Sequence, residues 1–306
     1  MSELTRYLED YLRLRRNLGF KLEFPGHVLP QFIHFLDSVG ATTITTELAV
    51  AWAGLPHNVL PISLAHRLGA VRGFARYLRT IDPRAEVPPL GVWPSTTRRP
   101  TPYLWSSSDI SRLLEAARSL QPPLHAATQE TLFGLLAATG MRVGEALGLE
   151  NADVDLADGL ITAREAKFNR TRLIPLHPTT TEALASYAAR RDLLCLQPKS
   201  TRFFLSSTGR TVKYAAVLQT FTRLTTTMGL RTPTCHPRIH DLRHSFAVRA
   251  LLDWHRSGAT PETRMPVLST YLGHVNPAGT FWYLSASPDL MELAAARLKV
   301  AAEVTP

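Results

Sequence analysis

Apolar residues recur at helical spacing along the first eighty positions. Leu4, Tyr7, Leu8, Tyr11 and Leu12 follow the i, i+3, i+4, i+7, i+8 pattern and mark one face of a helix. Similar stripes predict three more helices, at 28–39, 46–53 and 64–78. The sequence therefore predicts a helical N-terminal domain over residues 1–83.

The helical pattern stops in a proline-rich stretch. Six prolines lie between residues 83 and 102, where they remove backbone donors and favour extended conformations. We expect a linker over 84–104, in which Arg98 and Arg99 could lie along a phosphate backbone or simply be exposed.

The second half is again mostly helical, with one short change of pattern. SSSD at 106–109 is a helix-start signal. LITAR at 160–164 and TRLIPL at 171–176 are β-rich runs around a polar turn, which predicts a hairpin. Helical patterns then resume at about 178–195, 212–228, 240–256, 263–272 and 287–301. The fold class is therefore mainly α with a small antiparallel β-sheet (α+β), and 105–306 is the second domain.

Charge and composition indicate which kinds of binding partner the chain should have. With 34 Lys+Arg against 25 Asp+Glu the formal net charge is +9, so the chain should attract polyanions such as nucleic acid. Arg67, Arg72 and Arg76 lie on the fourth predicted helix, either as a solvated face or as DNA contacts. The two cysteines lack metal-site spacing, and no apolar run suggests a signal or membrane segment. We expect a cytoplasmic protein with no membrane partner.

Four local motifs place cationic or proton-transferring groups in the second domain. In TGMRVGEALGLE, Arg142 is predicted in a first helical turn, with Glu145 one turn on. Lys167 lies near the tip of the predicted hairpin, where it could reach a substrate. Each motif alone also fits an ordinary structural role, as an ion pair or an exposed lysine.

The other two motifs contain histidines. In HPRIHDLRH, His240 and Arg243 lie one turn apart on a predicted helix. His240 and His244 have the spacing of paired zinc ligands, although the glutamate of HExxH is missing. In GHVNPAGTFWYLSAS, His274 precedes Tyr283 by nine residues.

In this order, Arg142, Lys167, His240, Arg243, His274 and Tyr283 resemble the active-site set of the tyrosine recombinases, the phage integrase family. The resemblance lies in TGMRVGEALGL, the hairpin lysine, HDLRHSFA, YLGH and the tyrosine, and covers 105–306. It implies that residues 1–83 form a core-binding domain and that the two domains clamp DNA.

The resemblance also implies a mechanism and partners. Tyr283 would form a covalent 3′-phosphotyrosine, Arg142 and Arg243 would bind the phosphate, and Lys167 would protonate the leaving 5′-oxygen. His240 would assist proton transfer, His274 would hydrogen-bond the phosphate, and Glu145 would orient the site. No metal, nucleotide or other cofactor is implied. The expected partner is double-stranded DNA with inverted-repeat core sites in the nucleoid, bound by a homo-tetramer. The resemblance implies that the predicted helix at 286–304 joins neighbouring protomers, although its apolar stripe fits packing on its own domain equally well.

Two departures from the family pattern indicate which branch of the family this chain resembles. The stretch between Arg243 and His274 is long, with residues 254–266 read as an inserted loop, and the tyrosine segment lacks the common Ser/Thr-rich run. Both favour a transposon- or integron-like enzyme that could act with sister recombinases, over a chromosome-dimer resolvase. Three alternatives stay open: a type IB topoisomerase, a zinc hydrolase using His240, His244 and His274, and an inert DNA-binding protein.

Overall fold

The chain forms two compact units, one spanning Met1–Pro100 and the other Thr101–Pro306. The computed structural model describes residues 2–95, 101–164, 171–258 and 261–273. Within these ranges, every helix is too short or too polar to cross a bilayer.

Four helices build the first unit, as the apolar stripes predict. They are α1 (Glu3–Asn17), α2 (Glu23–Ser38), α3 (Thr46–Gly54) and α4 (Pro61–Leu78). Ser2 and Thr45 cap α1 and α3 by accepting hydrogen bonds from main-chain N–H groups. The shared core includes Phe32, Trp52 and Phe74. This packing confirms the helical prediction for the N-terminal part of the chain.

Part of the predicted linker belongs to this first unit. Ala85 is buried in the helical core, and Trp93 packs against it. Arg72 on α4 donates to the carbonyls of Pro88 and Pro89. The chain therefore stays attached to the helices as far as Trp93, well beyond the end of α4 at Leu78. Arg98 and Arg99 lie outside the described residues.

The second unit contains the remaining helices and a small sheet. The helices are α5 (Ser107–Arg118), α6 (Pro123–Thr139), α7 (Val143–Leu147), α8 (Pro178–Leu194), α9 (Tyr214–Thr227), α10 (Ile239–Arg256) and α11 (Pro261–Leu272). The strands are β1 (Val154–Asp155), β2 (Leu160–Arg164) and β3 (Thr171–Pro175). Ser106 caps α5, as the SSSD signal predicts, by accepting from the Asp109 N–H. The fold class is confirmed as mainly α with a small antiparallel sheet.

The predicted hairpin is present and gains a third strand. In the order β1-β2-β3 both pairings are antiparallel, and Ala163 faces Arg172 across the β2–β3 ladder. Strand β1 has only two residues, too few to show an alternating pattern. Lys167 falls in 165–170, outside the described residues.

The expectation of a loop at 254–266 is wrong at both ends of the stretch, where the predicted helices at 240–256 and 263–272 are present. Helix α10 continues to Arg256, and α11 begins at Pro261. Proline is well tolerated in a first helical turn, where its missing N–H has no intrahelical partner to lose. Met265, Leu268 and Leu272 then bury against α10. The apolar spacing of α11 therefore explains why the second part of this stretch is helical: it buries one face against α10.

Candidate active site

The site starts at the end of α6, where a glycine reverses the chain. Gly140 has a positive φ of 61° and caps α6. A Cβ on Gly140 would lie 2.5 Å from Cδ1 of Phe246, so a side chain there would clash with α10. The turn therefore brings the end of α6 close to α10 and directs the residues that follow Gly140 toward that helix.

Arg142 follows this turn and precedes the first turn of α7. It is the N-cap with extended backbone angles, so the prediction that it lies within the first helical turn is wrong by one residue. Its main-chain N–H and its guanidinium both donate to the Glu145 carboxylate, at 2.9 and 2.6 Å. The side chain also donates to the Gly273 carbonyl at 2.9 Å. The predicted Arg142–Glu145 pair is thus confirmed.

Arg243 lies deep in the unit, with only 2% of the residue exposed. It projects from α10 and donates to the carbonyls of Gly140 and Leu272, at 2.8 and 2.7 Å. A buried guanidinium needs such acceptors, because leaving the charge unpaired would cost several kcal/mol. Arg243 therefore ties the turn after α6 to the end of α11.

His240 lies one turn before Arg243 on α10. Desolvation lowers its pKa first, and the positive charges of Arg243, Arg238 and Arg142 lower it further, against an opposing effect of Asp241. Its position in the first turn of α10 acts in the same direction, because the positive end of the helix dipole disfavours an imidazolium. His240 is consequently neutral at pH 7 and able to accept a proton.

The paired histidines do not form a metal centre within the described residues. The rings of His240 and His244 meet edge to face, with centroids 4.6 Å apart. Over the described ranges no cluster of three His, Cys, Asp or Glu side chains is suitable for a metal ion. His274, the third ligand of the zinc hypothesis, lies outside those ranges.

Arg172 is a site residue that the sequence analysis missed. It lies on β3, and its guanidinium makes a two-pronged contact with the Glu145 carboxylate at 3.1 and 2.7 Å. Its Nε donates to the Tyr271 carbonyl at 3.0 Å. The alternation of β3 was the available signal, since Arg172 shares a strand face with the buried Ile174.

Glu145 is the anionic residue shared by these arginines. Its burial acts to raise the pKa of the carboxyl, but hydrogen bonds from Arg172 and Arg142 and the charge of Arg172 outweigh that effect and lower it. Glu145 is therefore ionised at neutral pH. This fits the orienting role expected for it.

Tyr271 is a second tyrosine beside the arginines, and its environment argues against nucleophilic use. Burial raises the pKa of Tyr271 to about 12, although Arg172 and Arg243 offset part of the rise. Its ring stacks on Phe246 with centroids 5.6 Å apart. A phenol held protonated in a packed position is a poor nucleophile.

The predicted DNA-contact arginines of α4 have different surroundings. Arg67 lies over the Trp52 ring, 3.8 Å from its centroid, and donates to the Trp52 carbonyl. Arg72 is held by the proline carbonyls described above, whereas Arg76 is exposed. Arg67 and Arg72 thus have structural contacts within their own unit.

The structure brings together Arg142, Glu145, His240 and Arg243 of the predicted set. Lys167, His274, Tyr283 and the segment 286–304 lie outside the described residues, and their roles stay predictions.

Comparison with known proteins gives one consistent answer. Residues 105–289 match the Phage integrase family. The chain is 43% identical to y4rB of Sinorhizobium fredii, which carries the name integrase/recombinase, over 98% of each chain. It is 30% identical to the tyrosine recombinase XerC of Azotobacter vinelandii over 62% of this chain and 60% of the relative.

Solved structures share the fold at low identity. The Tn1549 transposon integrase in complex with transposon right end DNA has a TM-score of 0.66 and 17% identity, covering 98% of this chain and 100% of that one. The XerH site-specific recombinase bound to palindromic difH substrate has a TM-score of 0.61 and 20% identity, covering 83% and 71%. With the family match over more than half of its length, the chain belongs to the phage integrase family and is a tyrosine site-specific recombinase.

Proposed function

We propose that this chain cuts and rejoins DNA strands through a covalent 3′-phosphotyrosyl intermediate and mobilises a transposon or another mobile element. The observation that carries the proposal is the convergence of Arg142 and Arg243 on the adjacent carbonyls of Gly273 and Leu272. This contact holds two guanidinium groups in one small region. Two such groups can neutralise the charge that develops on the non-bridging oxygens of a phosphodiester.

In the proposed cleavage step, the Tyr283 oxygen attacks the phosphorus and forms a bond to it while the bond to the 5′-oxygen breaks. The phenolic proton passes to His240, whose neutral state at pH 7 suits it to accept one. Lys167 gives a proton to the departing 5′-oxygen, and His274 hydrogen-bonds the phosphate. A 5′-hydroxyl then attacks the phosphotyrosine in reverse, so that the two transesterifications conserve the bond energy without a nucleotide.

DNA is the proposed partner, on two grounds. The formal net charge is +9, and the Tn1549 and XerH relatives were solved with DNA bound. A transposon role is supported by the likeness to the Tn1549 transposon integrase. We further propose a homo-tetramer on inverted-repeat sites, in which the segment 286–304 docks into a neighbouring protomer and sister recombinases take part. The DNA-bound protein would lie at the nucleoid in the cytoplasm.

The direct test is covalent trapping on a nicked suicide duplex. The duplex carries the inverted repeats found in DNA flanking the gene, and the nick lets the cleaved end diffuse away. Wild-type protein should yield a denaturation-resistant adduct whose phosphate is linked to Tyr283. Tyr283→Phe should yield none, with Tyr271→Phe as the matched control that still forms the adduct. Failure of the wild type to form any adduct on flanking-repeat substrates would refute the proposal.

The same substrates separate the alternatives. Transfer of a labelled strand between two duplexes is expected of a recombinase, whereas a type IB topoisomerase would relax supercoils without exchange. Adduct formation in EDTA, with no zinc found by elemental analysis, would exclude the zinc hydrolase. Crosslinking on paired sites, with and without residues 286–304, tests the tetramer.

A further inference from the structure

Arg172 occupies the inner face of a strand where an arginine is unusual. Its side chain is 13% exposed, whereas the neighbouring Leu173 on the same strand is 61% exposed. The strand therefore turns a charged residue inward and an apolar one outward. Arginine is seldom buried without a partner, so the arrangement indicates that the contacts of Arg172 matter more than the apolar packing of Leu173.

The contacts of Arg172 lead to Arg142 through one carboxylate. Glu145 accepts two hydrogen bonds from Arg172 and two from Arg142, one of them from the Arg142 main chain. The Glu145 side chain is only 8% exposed, which limits competition from water. A two-pronged guanidinium–carboxylate contact fixes the orientation of the carboxylate as well as its position. Arg172 thereby sets the plane in which Glu145 meets Arg142.

A second set of contacts joins the arginines to the end of α11. Three consecutive carbonyls, those of Tyr271, Leu272 and Gly273, accept from Arg172, Arg243 and Arg142 respectively. The last carbonyls of a helix lack intrahelical partners and carry partial negative charge, so cations are favoured there. Since the three arginines come from β3, α10 and the N-cap position before α7, the end of α11 fixes their spacing relative to one another.

We propose that Arg172 is a positioning residue for Arg142: by holding Glu145 and the Tyr271 carbonyl, it fixes the Arg142 guanidinium in its phosphate-binding place. This rests on the proposed function, because Arg142 is expected to bind the scissile phosphate. Arg172 itself acts through Glu145 and α11 and not through the phosphate.

The test measures the rate of covalent adduct formation on the suicide duplex by full-length protein. Arg172→Lys keeps the charge and loses the planar two-pronged contact, so the rate should fall about a hundredfold, as for other small misplacements of a catalytic group. Binding to the intact duplex should stay near the wild-type level. The matched control is Arg202→Lys, since Arg202 also pairs with a glutamate, Glu150, and a main-chain carbonyl, that of Gly148. Its rate should stay near wild type.

A double-mutant cycle separates positioning from a general structural role. If Arg172 acts through Glu145, then Arg172→Lys should lower the adduct rate much less in a Glu145→Gln background than in the wild type, and the contact with the Tyr271 carbonyl accounts for the remaining effect. Multiplying effects would show an independent action and overturn the proposal, as would a wild-type rate in Arg172→Lys. Arg172→Gln serves as a second variant, and thermal melting checks each protein. Loss of the fold in both variants would assign Arg172 a purely structural role and also overturn the proposal.

The outcome for wild-type protein keeps the two proposals distinguishable. An adduct in the wild type with no dependence on Arg172 refutes the positioning role alone. No adduct in the wild type refutes the recombination chemistry, and the positioning role falls with it.

Discussion

The arginines of the two compact units are used in different ways. In the helical unit, Arg67 lies on Trp52 and Arg72 holds two proline carbonyls, so each one binds separate parts of its own unit. In the second unit, Arg142, Arg172 and Arg243 bind three consecutive carbonyls at the end of one helix. The first arrangement disperses positive charge, and the second concentrates it.

This difference shows what separates a structural arginine from a candidate site. Like charges held together repel. Arg142 and Arg172 share the carboxylate of Glu145. Arg243 instead donates to two main-chain carbonyls. Such a cluster concentrates guanidinium groups from separate elements in one region, which suits the binding of an anionic phosphate. A dispersed arginine places only a single charge at its position. Convergence, and not the number of arginines on a helix, identifies the site.

The largest expected effect is the loss of cleavage on removal of a clustered arginine. Arg142→Ala and Arg243→Ala should each lower the adduct rate by about 10²–10³-fold or more, because each removes a charged donor to the transition state. Single-turnover cleavage of the suicide duplex measures this. Arg67→Ala should leave the rate on bound DNA nearly unchanged. A large loss of the chemical step in Arg67→Ala would break the comparison.

Stability should separate the two clustered arginines from each other. Arg243 is buried and binds carbonyls of two segments, so Arg243→Ala should lower the free energy of unfolding by about 3 kcal/mol or more. The Arg142 side chain is 37% exposed, and Arg142→Ala should cost about 1 kcal/mol. Urea unfolding followed by circular dichroism measures both. Equal losses would contradict the difference in burial.

A loss of stability smaller than that of Arg243→Ala is expected at the glycine that starts the site. Gly140→Ala should lower the free energy of unfolding by about 2 kcal/mol, since it strains a positive φ and drives a Cβ into Phe246. Gly144→Ala is the matched control, because no atom lies within 4 Å of its added Cβ and alanine favours a helix by up to about 1 kcal/mol. The two substitutions should therefore shift urea midpoints in opposite directions.

In the helical unit the expected effects are smaller, and they depend on whether an arginine contacts its own unit or is exposed. Arg67→Ala should destabilise α3 and α4 by about 1 kcal/mol, because it removes the contact with Trp52. Hydrogen exchange of the α3 and α4 amides measures this.

Arg76→Ala should leave exchange unchanged but weaken DNA binding and reduce the slope of log K against log salt by about one. If Arg67→Ala instead weakened DNA binding and reduced the salt slope while Arg76→Ala did not, Arg67 would be the DNA contact.

The smallest effect concerns pH. The lowered pKa of His240 means that the unfolded chain takes up a proton at higher pH than the folded one, so the unfolding free energy falls as pH drops below about 7. His240→Gln should flatten part of this dependence in urea titrations between pH 5 and 7.5. His125, whose pKa is lowered by desolvation and then by Arg223, should give a similar slope, so His125→Gln is the comparison variant. An unchanged slope in both variants would contradict the shifts.

Sequence reasoning predicted the fold wherever the periodic pattern was long. The four helices of the first unit and the hairpin have clear repeats, and Ser106 has recognisable cap chemistry. The error at 254–266 came from reading the long spacing between Arg243 and His274 as an inserted loop. Met265 and Leu268 bury against α10 there, and that tertiary contact is not visible from local composition.

The site was only partly predictable for a different reason. Arg142, His240 and Arg243 lie in motifs with distinctive spacing, so the sequence could identify them. Arg172 was one polar residue in a β-rich run, and its importance depends on which strand face is buried and on where Glu145 lies. Pairing across elements requires the three-dimensional arrangement, because sequence spacing reports only local neighbours.

The contacts at the end of α11 also bear on protein engineering. The arginines bind main-chain carbonyls there, and a carbonyl is supplied by every amino acid. Exposed α11 positions such as Arg264, Val267 and Thr270 can accordingly be randomised in libraries that seek new target sites. Every variant that keeps the helix and the positive φ of Gly273 should retain the hydrogen bonds from the arginines to the main-chain carbonyls.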